Sequence, residues 1–273
     1  NGRERAVFHG ATGPLTAVVA SPSGERLLTV SSDGSCRSWD LVALAPERRT
    51  WAVEENVFSL AFHRDGRLAV TAGWGGDVTV YDSASGGKVR TWQGHRQSGV
   101  GAAWSRDGEY IATSGNDGAV VLWRASSGER IVLLGEAGRQ VASVAISPDS
   151  RFVVAATTPG KVTVWEIPSG RERATFLADN GEDTGSVAWS PDGRFVAIGG
   201  SQGNAWRWDW QTGGVAQRFA HGKGRLVVAI APDGRTLATG SSAGTLALWS
   251  AQTGELRARL AGREHPHRTQ PAH

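Results

Sequence analysis

A single cysteine, Cys36, leaves no pair from which an internal disulfide framework could be built. It falls in a strand-like segment and reads as a small buried hydrophobe. Methionine is absent, and all but three basic residues (Lys88, Lys161 and Lys223) are arginine. No apolar run approaches the roughly 20 residues of a membrane-spanning helix, and no signal-peptide pattern opens the chain. These absences favour a cytoplasmic, reducing setting and argue against a membrane partner. No phosphate-cradling G-x-x-x-x-G-K-[ST] run, zinc-type Cys/His spacing or H-E-x-x-H occurs, so no metal or cofactor is expected. Acids and bases are interspersed around a net charge of +3, without the basic stripe that nucleic acid requires. A nucleic-acid-binding role is therefore the lesser alternative, and a ligand-binding or catalytic one lesser still.

What the chain does have is a long period. Trp39, Tyr81, Trp123, Trp165, Trp208 and Trp249 follow one another at intervals of 42, 42, 42, 43 and 41 residues. Self-similarity at that spacing marks a repeat architecture. Eighteen residues before each aromatic a turn begins, as in Ser105-Arg106-Asp107-Gly108 and Ser190-Pro191-Asp192-Gly193. Five residues before each aromatic stands a glycine: Gly34, Gly76, Gly118, Gly160, Gly203 and Gly244. A third glycine follows the aromatic by five in every copy but the first, where Leu44 stands. Between these turns lie four short β-prone runs; in copy three they are Val100–Trp104, Tyr110–Ser114, Ala119–Trp123 and Arg130–Leu134. Four strands joined by tight hairpins make one antiparallel sheet, and a lone sheet must cover its faces by stacking on neighbours. Radial stacking of such sheets is an all-β propeller.

The phased aromatics, several followed by a short acid (Trp39-Asp40, Tyr81-Asp82, Trp208-Asp209), with three recurring glycine positions, resemble the WD-repeat β-propellers over about residues 4 to 260. The repeats fall at about 11–53, 54–93, 94–135, 136–178, 179–220 and 221–260 within a domain of residues 1–260; residues 261–273 read as a disordered polar tail. The resemblance implies a hydrogen-bonded chain of side chains inside a blade, which copy three matches in full with His95, Thr113, Asp117 and Trp123. Copy one keeps Thr29, Asp33 and Trp39, and copy six keeps His221, Thr239 and Trp249 with Ala243 in place of the acid. A histidine, an acid and a hydroxyl also outline a catalytic triad, but recurrence in several blades favours the structural role. The G-x-S-x-G match at Gly240–Gly244 falls on a hairpin rather than a strand-to-helix elbow.

Residues Arg3–Phe8 are similar to Arg171–Phe176, the fourth strand of copy four, so the chain opens on an outer strand of a preceding blade. The last copy already has its own fourth strand at Leu256–Leu260. Two arrangements accommodate this: the C-terminal region of a longer protein, bacterial by analogy and covalently joined to upstream domains, whose intact ring has seven blades; or a six-bladed ring with one strand displaced. No residue is nominated for catalysis. The resemblance implies protein–protein interaction or scaffolding, with peptides or protein loops held on one face of the disk. Trp74, on a glycine-rich hairpin, is a candidate contact, with folding back onto a neighbouring blade as its alternative. Arg96, Arg139 and Arg225 lie in loops leading into blades three, four and six and are candidates for holding an acidic segment. Glu182 and Asp183 occupy the corresponding loop of blade five, which makes that face mixed in sign and a solvated rim the competing reading. Trp206 and Trp210 flank Trp208 at the strand period and are expected to pack between blades.

Overall fold

The computed structural model describes residues 13–43, 49–53, 56–135, 139–178 and 181–261. They build six four-stranded antiparallel sheets with no α-helix among the described residues, a six-bladed β-propeller. Blade one holds β1 (Leu15–Ala20), β2 (Arg26–Ser31), β3 (Ser35–Asp40) and β4 (Arg49–Ala52). Blade two holds β5 (Val57–Phe62), β6 (Leu68–Gly73), β7 (Asp77–Asp82) and β8 (Lys88–Gln93). Blade three holds β9 (Gly99–Trp104), β10 (Tyr110–Gly115), β11 (Ala119–Arg124) and β12 (Arg130–Gly135). In blade four these are β13 (Val141–Ile146), β14 (Phe152–Thr157), β15 (Lys161–Glu166) and β16 (Glu172–Leu177). Blade five has β17 (Thr184–Trp189), β18 (Phe195–Gly200), β19 (Asn204–Asp209) and β20 (Gly214–Ala220). Blade six has β21 (Leu226–Ile230), β22 (Thr236–Ser241), β23 (Thr245–Ser250) and β24 (Leu256–Ala261).

Each sheet is a meander whose spatial order equals its chain order, with consecutive strands paired antiparallel. The first strands, β1, β5, β9, β13, β17 and β21, pack against one another in sequence, so they are the innermost strands. In blades one to five the second and third strands are mostly buried on both faces, as in β14, where five of six residues are buried. Fourth strands lie outside and bury little, as in β16. The core is accordingly divided among the junctions between blades. One apolar cluster sits at each of the five successive junctions, from Leu28, Leu60 and Tyr81 between blades one and two to Phe219, Leu237 and Trp249 between five and six. The repeat is thus the folding unit of the sequence, and the interface between repeats is the unit of stability.

Cys36 is 1% exposed in β3, where burial pushes its thiol up to about 12 despite the neighbouring Arg37, so it stays protonated. The turn glycine of the other copies is replaced by Ser150 in blade four, which takes the left-handed φ of 61°. Its side chain has a use there: Oγ accepts the Asp107 N–H of blade three at 3.1 Å. Strand β24 extends to Ala261, paired with Thr245, one residue into the stretch expected to be tail. The outer strand expected at Arg3–Phe8 and the remaining tail, 262–273, lie outside the described residues.

Candidate functional site

The upper face of the disk carries the loops leading into each first strand and the hairpins joining second to third strands. Beneath it, in blade three, the His95 ring lies 2% exposed. Its Nδ1 is 3.1 Å from Asp117 Oδ1 and its Nε2 is 2.9 Å from Thr113 Oγ1. Trp123 Nε1 donates to the same Thr113 oxygen at 2.8 Å. Asp117 also accepts the backbone N–H groups of Arg96 at 2.9 Å and Ala119 at 3.1 Å. One proton assignment satisfies every partner: indole N–H to Thr113, Thr113 O–H to Nε2, and Nδ1–H to a carboxylate. Thr113 has no exposed surface and its oxygen already accepts the indole, so no substrate reaches it. The constellation ties the lead-in loop to the hairpin and fixes the face above it.

Other blades reach the same end with different groups. In blade six His221 Nδ1 meets Thr239 Oγ1 at 2.6 Å and Nε2 meets Thr245 Oγ1 at 2.7 Å, while Trp249 donates to Thr239 at 2.8 Å. Thr245, two residues beyond Ala243, thus takes the part of the missing acid. In blade one Trp39 donates to Thr29 at 2.8 Å, and Asp33 caps its own hairpin through the Ser35 N–H at 3.0 Å. Blade five uses Glu182, which accepts the Gln202 N–H and the Asn204 amide, both at 2.7 Å. That geometry removes Glu182 from the solvated, mixed-sign rim expected there. The side chain is 4% exposed and turned inward, where two N–H donors offset its desolvation. The six aromatic anchors are 0–7% exposed. Not every anchor indole is bonded this way: in blade five Ile198 stands where Thr113 stands in blade three, and the buried Trp208 N–H finds no acceptor. Trp206 and Trp208 both pack on Phe176 of blade four, and Trp210 packs on Phe152 of the same blade.

Burial pushes the His95 imidazole below its ordinary 6.5, with Asp117 pulling it up without reversing the shift. Burial also lowers His221, and Arg259 lowers it further. Burial raises the Asp117 carboxyl, but the Arg96 and Ala119 N–H groups and His95 outweigh it and hold it below 3.8. For the histidines the unfolded chain binds protons more readily than the folded one. Their contribution is therefore complete above pH 6.5 and drains away as pH falls below that value toward the lowered folded-state pKa. Urea midpoints should fall between pH 7.5 and 5.5, and less so in a His95→Gln/His221→Gln variant. A midpoint that held or rose on acidification would contradict this.

Of the four candidate contact residues, Trp74 stands out at 66% exposed, on the β6–β7 hairpin. Its backbone N–H is fixed to Asn56 O at 3.0 Å, and its ring lies 6.2 Å from the Phe58 ring. Phe58 is the residue bulged out of β5 between Val57 and Ser59, where the register with β6 shifts. It lines a cavity of about 340 Å³ together with Leu15, Val18 and Val227. Arg96 is exposed beside a separate recess of about 730 Å³, with Gln93, Arg130 and Leu133. Arg139 is half-buried. Arg225 is exposed, its N–H bonded to Ser242 Oγ at 3.1 Å and its guanidinium lying over Gly185. Aromatic pair and arginines are thus set on the same face by different blades. Phe58 had no place among the sequence candidates; nothing but the bulge brings it beside Trp74. The hydroxyls of the G-x-S-x-G match are engaged locally, Ser241 Oγ donating to Lys223 O at 2.6 Å and Ser242 accepting Arg225. Among the described residues no group of three or more His, Cys, Asp or Glu could hold a metal ion, and no helix is long and apolar enough to cross a membrane.

The sequence model of the family described as WD domain, G-beta repeat matches residues 2–40, 48–82, 86–124, 129–166, 173–209 and 215–250. The chain belongs to the WD40 repeat family. Each of the six matches to the WD40 model ends on the residue directly after an anchor aromatic, so the family's period and that of Trp39 to Trp249 coincide. Over 83 residues the WD40 chain is 36% identical to "Cilia- and flagella-associated protein 52" of Chlamydomonas reinhardtii. That match spans 30% of this chain and 13% of the relative. It lends no support to the expected bacterial origin.

Proposed function

We propose that this WD40 propeller is a non-catalytic protein-interaction module that holds a peptide or protein loop on its upper face. The observation that carries the reading is the exposure of Trp74: of twelve tryptophans it alone is exposed, on a hairpin tied down by its own backbone. A rigid aromatic presented with little conformational freedom is the kind of residue that dominates binding energy at interfaces. Phe58 extends the aromatic surface, and Arg96, Arg139 and Arg225 favour a ligand with an apolar anchor residue beside acidic ones. Family membership supports a scaffold role, since WD40 propellers generally bind other proteins. The relative named for cilia and flagella supplies no partner here.

Panning a displayed random-peptide library against the wild-type protein tests this. Selected peptides are expected to carry an aromatic or large aliphatic residue near Asp or Glu. For Trp74→Ala we expect at least a tenfold weaker Kd, about 1.4 kcal/mol, with unfolding free energy within about 0.5 kcal/mol of wild type. Peptides that bind Trp74→Ala unchanged would refute the site. A collapse of stability in that variant would show the ring to be structural.

A further inference from the structure

We infer that a recess on the lower face, between blades four and five, is a second recognition site that binds a phosphotyrosine side chain of a partner protein. The lower face is formed by the turns joining first to second and third to fourth strands, so this site is independent of Trp74 on the opposite face. The recess has a volume of about 600 Å³ and opens where the β13–β14, β17–β18 and β19–β20 turns meet. Arg151, Arg173 and Arg194 line it, with Phe152 and Trp210 as an aromatic wall.

The repeat itself does not require these residues. Two positions after the anchor, Trp210 stands where the other copies have Leu41, Ser83, Ala125, Ile167 and Ala251. Its indole N–H donates to Gly193 O at 2.9 Å, the same bond that Ser83 Oγ makes to Gly66 O at 2.6 Å in blade two. A serine suffices for that bond, so what the indole adds is ring surface. The surface lies 4.6 Å from the ring of Phe152, half-buried at the start of β14. No other copy pairs an aromatic at the Trp210 position with one at the Phe152 position of the preceding blade. Arg173 stands on β16 where β8, β12 and β20 have Val89, Ile131 and Ala216.

Hydrogen-bond donors outnumber acceptors in the recess. Asp149 and Asp192 also line it, but each spends Oδ1 on its own turn, accepting a serine O–H at 2.5 Å and a backbone N–H at 3.1 Å. A guanidinium carries five N–H donors. Among the described residues that of Arg151 makes no hydrogen bond or ion pair, and it overlies the Phe152 ring at 5.8 Å. Arg173 has one 3.6 Å contact with Glu166, and Arg194 one 3.3 Å bond to Asp209. These contacts hold both guanidiniums in place and leave most of their donors unspent. The occupant must therefore bring several acceptors close together, as a phosphate monoester does with three oxygens and a charge of about −1.5 to −2. A run of carboxylates would spread its charge past Asp149 and Asp192, whereas a phosphate concentrates it on the arginines. The ring of a phosphotyrosine meets Phe152 and Trp210, and a serine or threonine phosphate has no such ring.

The test uses the full chain and fluorescein-labelled short peptides with degenerate flanks, centred on phosphotyrosine, phosphoserine or tyrosine, with anisotropy as the readout. The phosphotyrosine pool is expected to bind about tenfold tighter than either of the others. Phenyl phosphate should displace it at concentrations where inorganic phosphate does not. Arg151→Gln/Arg173→Gln should weaken binding of that pool about tenfold with an unchanged melt, because exposed side chains are altered rather than packing. Arg151→Gln alone, which breaks no ion pair, should show a smaller loss and serves if the double variant melts lower. Trp74→Ala should bind the phosphotyrosine pool as wild type does, which separates this site from the upper-face one. The proposal is overturned if the phosphoserine pool binds as tightly, if inorganic phosphate matches phenyl phosphate, or if the arginine variants lose nothing. A loss in Trp74→Ala would equally overturn it, by placing the phosphopeptide on the upper face.

Discussion

Trp123→Ala is expected to lower the unfolding free energy by about 3–5 kcal/mol. The ring is 5% exposed and packs edge-on to Trp92 of blade two at 5.7 Å, within a cluster that includes Val70, Val80 and Ile111. Truncation would open a cavity at the junction of blades two and three, which neighbouring sheets held by their own hydrogen bonds cannot collapse to fill. It also removes the donor that Thr113 accepts, loosening the chain through His95 to Asp117. Urea unfolding at pH 7.5 measures the effect, and a loss below about 1 kcal/mol would contradict the packing described. The indole N–H can be isolated with phenylalanine. Trp123→Phe leaves Thr113 short of a partner, whereas Trp208→Phe discards an N–H that has none. Though Trp208 is the more deeply buried of the two, its replacement by Phe should be the milder.

Gly203→Ala is the second large loss, expected at about 3 kcal/mol or more. Two costs combine at this hairpin. The residue has φ of 89°, where a Cβ is strained by about 1–2 kcal/mol. That Cβ would also overlap the carbonyl oxygen of Gly222 and force the lead-in loop of blade six away from blade five. Gly244→Ala has a similar φ of 79° but open space around the new methyl, so it should cost only the backbone strain. The difference between the two variants reads out the contact between adjacent blades. Equal losses would mean that the loop moves aside freely and that the junction is not close-packed.

Much of the fold was legible because each blade is specified within its own 42 residues. The four runs expected in copy three, from Val100–Trp104 to Arg130–Leu134, differ from β9 to β12 by one residue at an end. Turn residues and the alternation of buried and exposed side chains are local properties, and they recur often enough to be phased against one another. Contacts between copies are not local. Ser59, Ser143 and Ser186 each accept a backbone N–H from the following blade, at Ala102, Val187 and Val228, at 2.9–3.3 Å. Nothing inside one repeat marks those hydroxyls. Glu182 reads as a surface acid in a polar loop until Gln202 and Asn204 are seen to point at it. Thr245 lies beyond the turn position where an acid is sought, so its bond to His221 is invisible to spacing. Phe58 and Trp74 are 16 residues apart, and a register shift in β5 is what puts them side by side.

The claim that a stiff set of sheets presents its upper face for recognition is tested most directly by hydrogen exchange on the free protein and on its complex with a peptide selected against it. Protection confined to the Asn56–Phe58 and Gly73–Gly76 segments and the neighbouring lead-in loops, with the strands of blades three to five equally slow in both states, is the predicted result. Protection instead at the lower-face turns around Asp149 and Asp192, or a general slowing of all six blades, would contradict it.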